Sequence, residues 1–568
     1  MFRLAGRELL DRESPSGEWK RLSREEIEVL EGRGCTASDW STVMVRPGSV
    51  LGAVHGCRFE GEVLLDLTPS KGRKPQIRDS TLRDTEVGPG CRILSTRMLA
   101  GLVIGEGVVV EDCGTVSFAG GGLCGCGREL KLGVETGERN VPSFPCLDVL
   151  TASELSGGEG RDRRMSVYRE KLTEFLDRLE KFERGRLSDG CVLRNTPVVE
   201  DSFIGPGAVI SNAAGVRNST LLGDGEWSAA VTDGALVRDS ILQWGALADS
   251  LAVVEASVVG EASVVERHGK LTSSFLGPNS VLAEGEITAS LAGPFTAAHH
   301  QSLLIAARWP EGMGNLGYGA NVGSNHTSRL PDQEIRPGEG MFFGLACSVK
   351  FPADFSRAPF TIIATGVTTL PQKVTFPFSL ICEPFREVPG IPPAFNQIIP
   401  GWVLSDNMFS VARNHRKFTE RNRARRWKPR EGGILREDTV SLMMEALEGL
   451  EVDEQRDVYT DSHISGLGKN FMTEEHRLRA METYRFHTRL FALDSLESGD
   501  GHSPGSSLAA GILERDFPDA SEDELRERRE QMQLELREAI SASRRKDRRR
   551  GAAIIEDYLK VRDGGEGR

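Results

Sequence analysis

The sequence predicts a mainly β protein whose body is a parallel β-helix of hexapeptide coils, carrying an inserted helix and a helical C-terminal region. Three observations lead there. Aliphatic residues recur at about six-residue steps, at Ile204, Ile210, Val216 and Leu222, and at Val253, Val259, Val265 and Leu271, followed by Leu276, Leu282 and Ile287. An earlier run is Val87, Ile93, Leu99, Ile104, Val110 and Val116. A helix repeats every 3.6 residues and a strand every 2, so a six-residue beat fits a triangular coil with one inward residue per face. Second, the aliphatic residue is often followed by Gly and a turn residue, as in Val87-Gly-Pro-Gly, Ile204-Gly-Pro-Gly and Leu276-Gly-Pro-Asn. Gly and Asn tolerate the positive φ of a sharp corner. Third, serines recur at 202, 219, 240, 257, 274 and 290, in steps of 17, 21, 17, 17 and 16 residues. Three hexapeptides make one coil of about that length. The 21-residue step accommodates a small outward loop at Asp224-Gly-Glu-Trp-Ser-Ala-Ala.

The elements follow in order. Residues 1–150 comprise an N-terminal segment and the first coils. Residues 151–190 form a helical insertion, with Met165, Tyr168, Leu172, Phe175, Leu176, Leu179 and Phe182 at helical spacing over about 163–185. Residues 191–400 are the main β-helix, with an irregular loop near 293–333. Residues 401–495 are helical, notably over 439–450 and 474–493, and contain a basic segment. Residues 496–568 start as a Gly- and Ser-rich linker and continue as a charged helical tail ending in a basic run from Arg544 to Arg550.

Composition narrows the function. The 568 residues carry 83 acidic and 70 basic side chains, a net charge of −13, which argues against a protein built mainly to hold nucleic acid. No stretch approaches the roughly 18 apolar residues of a membrane span, so a cytoplasmic protein with no membrane span is expected. Ten cysteines are too few for a disulfide scaffold, and Cys124-Gly-Cys126 has no second pair at zinc spacing, so no metal is expected. There is no Gly-x-Ser-x-Gly elbow, no Walker loop, no Gly-x-Gly-x-x-Gly entering a helix and no His-Glu-x-x-His. The 405–430 segment holds nine Arg or Lys against Asp406 and Glu420. It suits the phosphates of a coenzyme or nucleotide sugar, with Trp402 or Trp427 to stack on a base, or else pairing with acidic surface elsewhere in the chain.

Three of ten histidines, His299, His300 and His326, fall in the segment expected to be irregular. A neutral imidazole is suited to take a proton from an attacking hydroxyl or amine. An amide such as Asn325 or a turn N–H then stabilises the oxyanion. Arg308 or Arg329 would meet phosphate, with Asn321 among the substrate- or cofactor-binding positions. The bland alternative for each histidine is a backbone hydrogen bond at a turn, and zinc held by three imidazoles is a lesser one.

The hexapeptide runs resemble the trimeric left-handed β-helix superfamily that contains the UDP-N-acetylglucosamine acyltransferases. Several strings are similar to one bacterial domain-of-unknown-function family within it: Leu30-Glu-Gly-Arg-Gly-Cys-Thr-Ala-Ser-Asp-Trp40, Glu135-Thr-Gly-Glu-Arg-Asn-Val-Pro142, Ala292-Gly-Pro-Phe-Thr-Ala-Ala-His-His-Gln-Ser302, Ser324-Asn-His326, Pro359-Phe-Thr and Phe376-Pro-Phe-Ser-Leu-Ile381. The resemblance implies a left-handed coil, a homotrimer, and acyl transfer from acetyl-CoA or another acyl-CoA to a sugar nucleotide or phosphorylated sugar at subunit interfaces. His299, His300 and His326 are the positions for its catalytic histidine. The competing expectation is a non-enzymatic trimeric scaffold or ligand-binding protein, favoured by the length of the chain and its charged terminal helix.

Overall fold

Short strands stack in parallel register as a β-solenoid. The computed structural model describes residues 9–10, 18–323, 333–430, 433–496 and 507–555. Its chain divides into two compact units, Met1–Glu334 with Arg423–Trp427, and Ile335–Asn422 with Lys428–Arg568.

In the first unit, from Val192 on, each coil has three faces of two- or three-residue strands. On face one Val192–Arg194, Val209–Ser211 and Ala230–Thr232 stack in parallel register. On face two Val198–Glu200, Gly215–Arg217 and Leu236–Arg238 do the same, and on face three Phe203–Ile204, Thr220–Leu221 and Ile241–Leu242. Three corners separate the faces, each turned by a residue in the left-handed region: Asn212 (φ 54°), Asn218 (φ 41°) and Gly225 (φ 92°) in one coil. The expected Asp224 loop stands at the third corner, where the Asp224 carboxylate accepts from the backbone N–H of Glu226 and Trp227. Gly245 is required one coil on, because a Cβ there would lie 2.2 Å from the Trp227 ring.

The inward rows are aliphatic and inaccessible, with Ile210, Val231, Val265 and Leu282 on face one and Val216, Val237, Val254 and Leu271 on face two. The six-residue count slips by one in two places. Val254 rather than Val253 points inward, and Leu221 rather than Leu222 aligns with Ile204. Face three has two-residue strands, which shortens the step there to five.

The serine beat is a buried hydrogen-bond ladder directly after the second corner. Ser202, Ser219, Ser240, Ser257 and Ser274 each accept from the backbone N–H of the serine one coil on, at 3.0–3.2 Å. Ser290 closes the run by accepting from Ala307 N–H at 3.1 Å. Each hydroxyl donates to the carbonyl two residues before it, as Ser257 does to Glu255 at 2.7 Å.

The outer row of face three would expose Phe203, Ile241, Val258, Phe275 and Leu291 to water, yet all are buried. The insertion covers them. It leaves the solenoid after Thr115–Ser117 and returns at Gly185–Leu187, earlier than the 151–190 span expected. With α1 at Arg24–Gly32 preceding it, the insertion contains α2, Val149–Ser156, and α3, Arg161–Leu179. The helix ends six residues before the expected 185 because the chain must rejoin the sheet beside Leu102. Polar contacts fasten the insertion to face three. Thr220 Oγ1 donates to the Cys124 carbonyl at 2.7 Å, and Gln243 Nε2 donates to the carbonyls of Pro145 and Leu147.

The loop expected near 293–333 is regular coil through residue 323. Ala297–His299, Leu303–Ile305, Arg308–Trp309, Asn315–Leu316 and Asn321–Val322 continue the three faces in register. Its corners are turned by positive-φ residues as elsewhere, at Phe295, His300, Ala306 and Gly312.

In the second unit, short parallel strands again form three faces: Ile335–Arg336 with Ala353–Asp354 and Gln372–Lys373, Phe342–Phe343 with Ile362–Ile363 and Leu380–Cys382, and Ser348–Val349 with Thr368–Thr369. Asn396–Ile399 then pairs antiparallel with Leu380–Cys382, and Asn470–Thr473 joins it. The helices are α4, Trp402–Ser405; α5, Met408–Arg421; α6, Glu437–Leu450; α7, Glu474–Asp494; α8, Ser507–Asp516; and α9, Glu522–Ala552. Leu490, Leu493 and Met532 form a core packed by Phe486, Leu513, Phe517, Leu525 and Leu536. Tyr484 Oη donates to the Pro377 carbonyl at 2.6 Å and anchors α7 to the strand region. No helix among the described residues is long and apolar enough to cross a membrane.

Two stability predictions follow from these contacts. Ser257→Ala strands the buried N–H of Ser274 and is expected to cost about 1–3 kcal/mol, read from urea unfolding. His487 is inaccessible on α7, with no partner for either ring nitrogen among the described residues, and burial pushes its pKa down to about 4. The unfolded chain takes up that proton near pH 6.5, so the contribution is intact above pH 6.5 and drains away as pH falls toward 4. His487→Leu is expected to remove this slope of roughly 3 kcal/mol, measured by unfolding across that window.

Candidate functional site

Coils in a solenoid stack at the roughly 4.8 Å spacing of a sheet, so side chains at one corner on successive coils lie against one another. At the first corner the pairing Glu266↔Ala283↔His299 places Arg267, Glu284 and His300 in a column. The bond from Gly319 N–H to the His300 carbonyl (3.0 Å) puts Tyr318 next in that column.

His300 Nδ1 lies 2.8 Å from Glu284 Oε2, and Arg267 Nη1 lies 4.0 Å from Glu284 Oε1. The hydrogen bond from His300 holds Glu284 below the usual carboxylate range. His299 ends its strand with its ring centroid 6.0 Å from that of His300. Burial pushes His299 below the ordinary imidazole range, and neighbouring His300 pushes it further the same way, which keeps the ring neutral at pH 7. His268 stands beside Arg267, its Nδ1 against the Arg267 carbonyl. Tyr318 is 55% exposed and the His300 side chain 61%. The chemistry available is that of an imidazole oriented by a carboxylate, next to a guanidinium and an exposed phenol.

Of the predicted residues, His299 and His300 share this corner. Arg308 does not: it lies on face three, where its guanidinium donates to the Ser153 carbonyl and hydroxyl and to the Ser156 hydroxyl at 2.9–3.2 Å. It anchors the α2 helix, which no periodicity argument foretells. Asn321 starts the following face-two strand, away from the imidazole column. Asn325, His326 and Arg329 lie outside the described residues. Glu284, Arg267, His268 and Tyr318 were missed, although the coil length supplies the signal: stepping back 16 and then 17 residues from His300 reaches Glu284 and Arg267. Among the described residues no three His, Cys, Asp or Glu side chains converge as a metal site.

Part of the basic segment is a strap across the third corner. Glu261, with 3% of its side chain exposed, accepts from the backbone N–H of Arg425 and Arg426 and pairs with the Arg426 guanidinium at 3.3 Å. Arg426 also lies 3.9 Å over the Trp244 ring and 3.1 Å from Asp224, and Arg425 lies over Trp227 at 5.4 Å. Asn279 Oδ1 accepts from Arg423 and Ala424 N–H. Trp427 packs edge-on against Phe295, with ring centroids 5.7 Å apart. The residues considered for phosphate and base binding therefore meet the acidic surface of their own chain at this point. A carboxylate this buried is stabilised only when its lone pairs are filled, and the strap fills them.

An uncharacterized protein of Treponema pallidum (strain Nichols) is 25% identical over 524 residues, covering 88% of this chain and 69% of the relative. Residues 19–428 match a family described as a domain of unknown function, DUF4954. That span runs from the first coils through the insertion and the histidine corner to the end of the strap. Because it takes in well over half of the sequence, the chain belongs to the DUF4954 family.

Proposed function

We propose that the protein is an acyltransferase of the hexapeptide-repeat type, with a left-handed coil. It transfers an acyl group from acetyl-CoA or another acyl-CoA to a hydroxyl or amine of a sugar nucleotide or phosphorylated sugar. The observation that carries this reading is the His300–Glu284 pair at 2.8 Å on a solvent-facing corner. With Nδ1–H donated to the carboxylate, Nε2 is the basic nitrogen. It takes the proton from the acceptor as the acceptor attacks the thioester carbonyl. The C–S bond then breaks, the proton passes from the imidazolium to the departing thiolate, and Glu284 steadies the imidazolium while it exists. Arg267 is placed to meet a phosphate of either substrate.

A corner this open holds two substrates only if a second copy closes it, which is why the reading includes a homotrimer. Face one offers a surface for such contact. Its outer row Val109, Val192, Val209, Ala230, Leu247, Val264, Val281 and Ala297 is in register over eight coils and only partly covered. Burying a continuous apolar row between copies is favourable.

Thiol release from acetyl-CoA with a panel of sugar nucleotides and sugar phosphates tests the chemistry. His300→Ala is expected to lower turnover about 10²- to 10⁴-fold, with a smaller loss for Glu284→Gln, and His300→Ala at wild-type turnover overturns the assignment. Sedimentation equilibrium is expected to give a species of three 62.1 kDa chains, and Val209→Glu with Val264→Glu to give a monomer. A monomeric wild-type protein removes the trimer from the reading.

A further inference from the structure

The second unit carries a concentration of positive charge that the strap does not account for. Helices α5 and α9 pack on each other around Phe409, whose ring lies 6.0 Å from the Arg413 guanidinium of α5 and 5.5 Å from the Arg544 guanidinium of α9. Ser543 Oγ donates to the Asp406 carbonyl at 3.1 Å and Lys546 Nζ lies 3.7 Å from the Asp406 carboxylate, fixing the last turns of α9 beside the start of α5. Arg413, Lys417 and Arg421 follow one another at i, i+4 and i+8 along α5, with Arg416 adjoining. In α9, six of the seven residues from 544 to 550 are Arg or Lys. Within α5 and residues 544–550 of α9, the sequence has ten basic residues and two acidic ones, Glu420 and Asp547.

Part of this charge meets carboxylates, Lys546 at Asp406 and Arg416 at Glu420, and part does not. Arg545, Arg549 and Arg550 are exposed and have no carboxylate partner among the described residues. Lys417 is held below the ordinary lysine range first by burial and then by Arg413, Arg421 and Arg416. A net surplus of eight positive charges on α5 and the 544–550 end of α9, inside a chain of net charge −13, is a local counterweight that composition conceals.

We propose that the paired helices α5 and α9 form a binding surface for the phosphate backbone of nucleic acid. Eight of the ten cations are Arg, whose planar fork matches phosphate oxygens bidentately. They sit on regular helices, and a helix of about 10–12 Å diameter enters a major groove of about 12 Å. The basic run itself lacks the apolar face that a lipid-surface helix buries, since Asp547 is the only other residue between 544 and 550. Recognition of this kind reads charge and shape without base sequence. It is independent of the acyl-transfer reading.

The test is fluorescence anisotropy of the full chain with a short duplex DNA and an RNA hairpin at several salt concentrations, beside co-sedimentation with phosphatidylserine-containing vesicles. Engagement of about five phosphates gives a slope of log K against log salt of roughly −4.5. Arg545→Glu with Arg549→Glu and Arg550→Glu is expected to weaken binding at least tenfold and flatten that slope. Arg416→Glu with Arg421→Glu, on the other helix, is expected to do the same, with circular dichroism showing retained helix in both. Absence of nucleic-acid binding at low salt overturns the proposal, as does wild-type affinity in both variants, or vesicle binding without nucleic-acid binding.

Discussion

The first unit depends on one constraint: the backbone N–H and C=O groups of each coil find partners mainly on the coils above and below. Parallel stacking in fixed register is how so many short strands keep their polar groups satisfied in a buried setting. The second corner makes the constraint visible. A hydroxyl is costly to bury unless both its donor and its acceptor capacity are used. From Ser202 to Ser290 each does both, donating within its own coil and accepting from the next. The ladder therefore ties coil length to side-chain chemistry. A coil with a different residue at that point would leave an N–H without its acceptor.

Stacking also decides what each surface can be used for. A position repeated along a face becomes a row, and a row is either covered or offered. Face three is covered by the insertion, which turns the outer row of Phe203, Ile241, Val258, Phe275 and Leu291 into a second core layer. The third corner is covered by the strap, whose backbone N–H groups fill the buried Glu261 carboxylate. Face one and the first corner stay open. There the same stacking sets Arg267, Glu284, His300 and Tyr318 on four consecutive coils, so that residues 16–18 apart in the chain become neighbours.

This explains which parts of the candidate site were legible. His299 and His300 stood out because histidine is scarce and they are adjacent. Their partner Glu284 is one of 83 acidic residues and is singled out only by its distance of one coil from His300. Arg308 lay near the histidines in sequence yet sits on a different face, because face two and the second corner at Ala306 intervene between residues 300 and 308. The basic segment was legible as charge but not as destination. One portion meets carboxylates on its own solenoid, while Arg413 to Arg421 joins the distant run at Arg544 to Arg550 in the second unit.

By itself the sequence determined the coil. The six-residue aliphatic beat, the turn residues at corners and the recurring serines are local, periodic signals, because each reports a backbone requirement that repeats every turn. It also determined the helices α3, α6 and α7, whose apolar spacing is equally local. Only the tertiary structure decided which outer rows are buried, which arginines are spent on the protein's own carboxylates, and which glutamate orients His300. Those outcomes depend on where an insertion, a strap or a neighbouring coil comes to rest, and no local periodicity encodes a contact made by chain segments that meet only after folding.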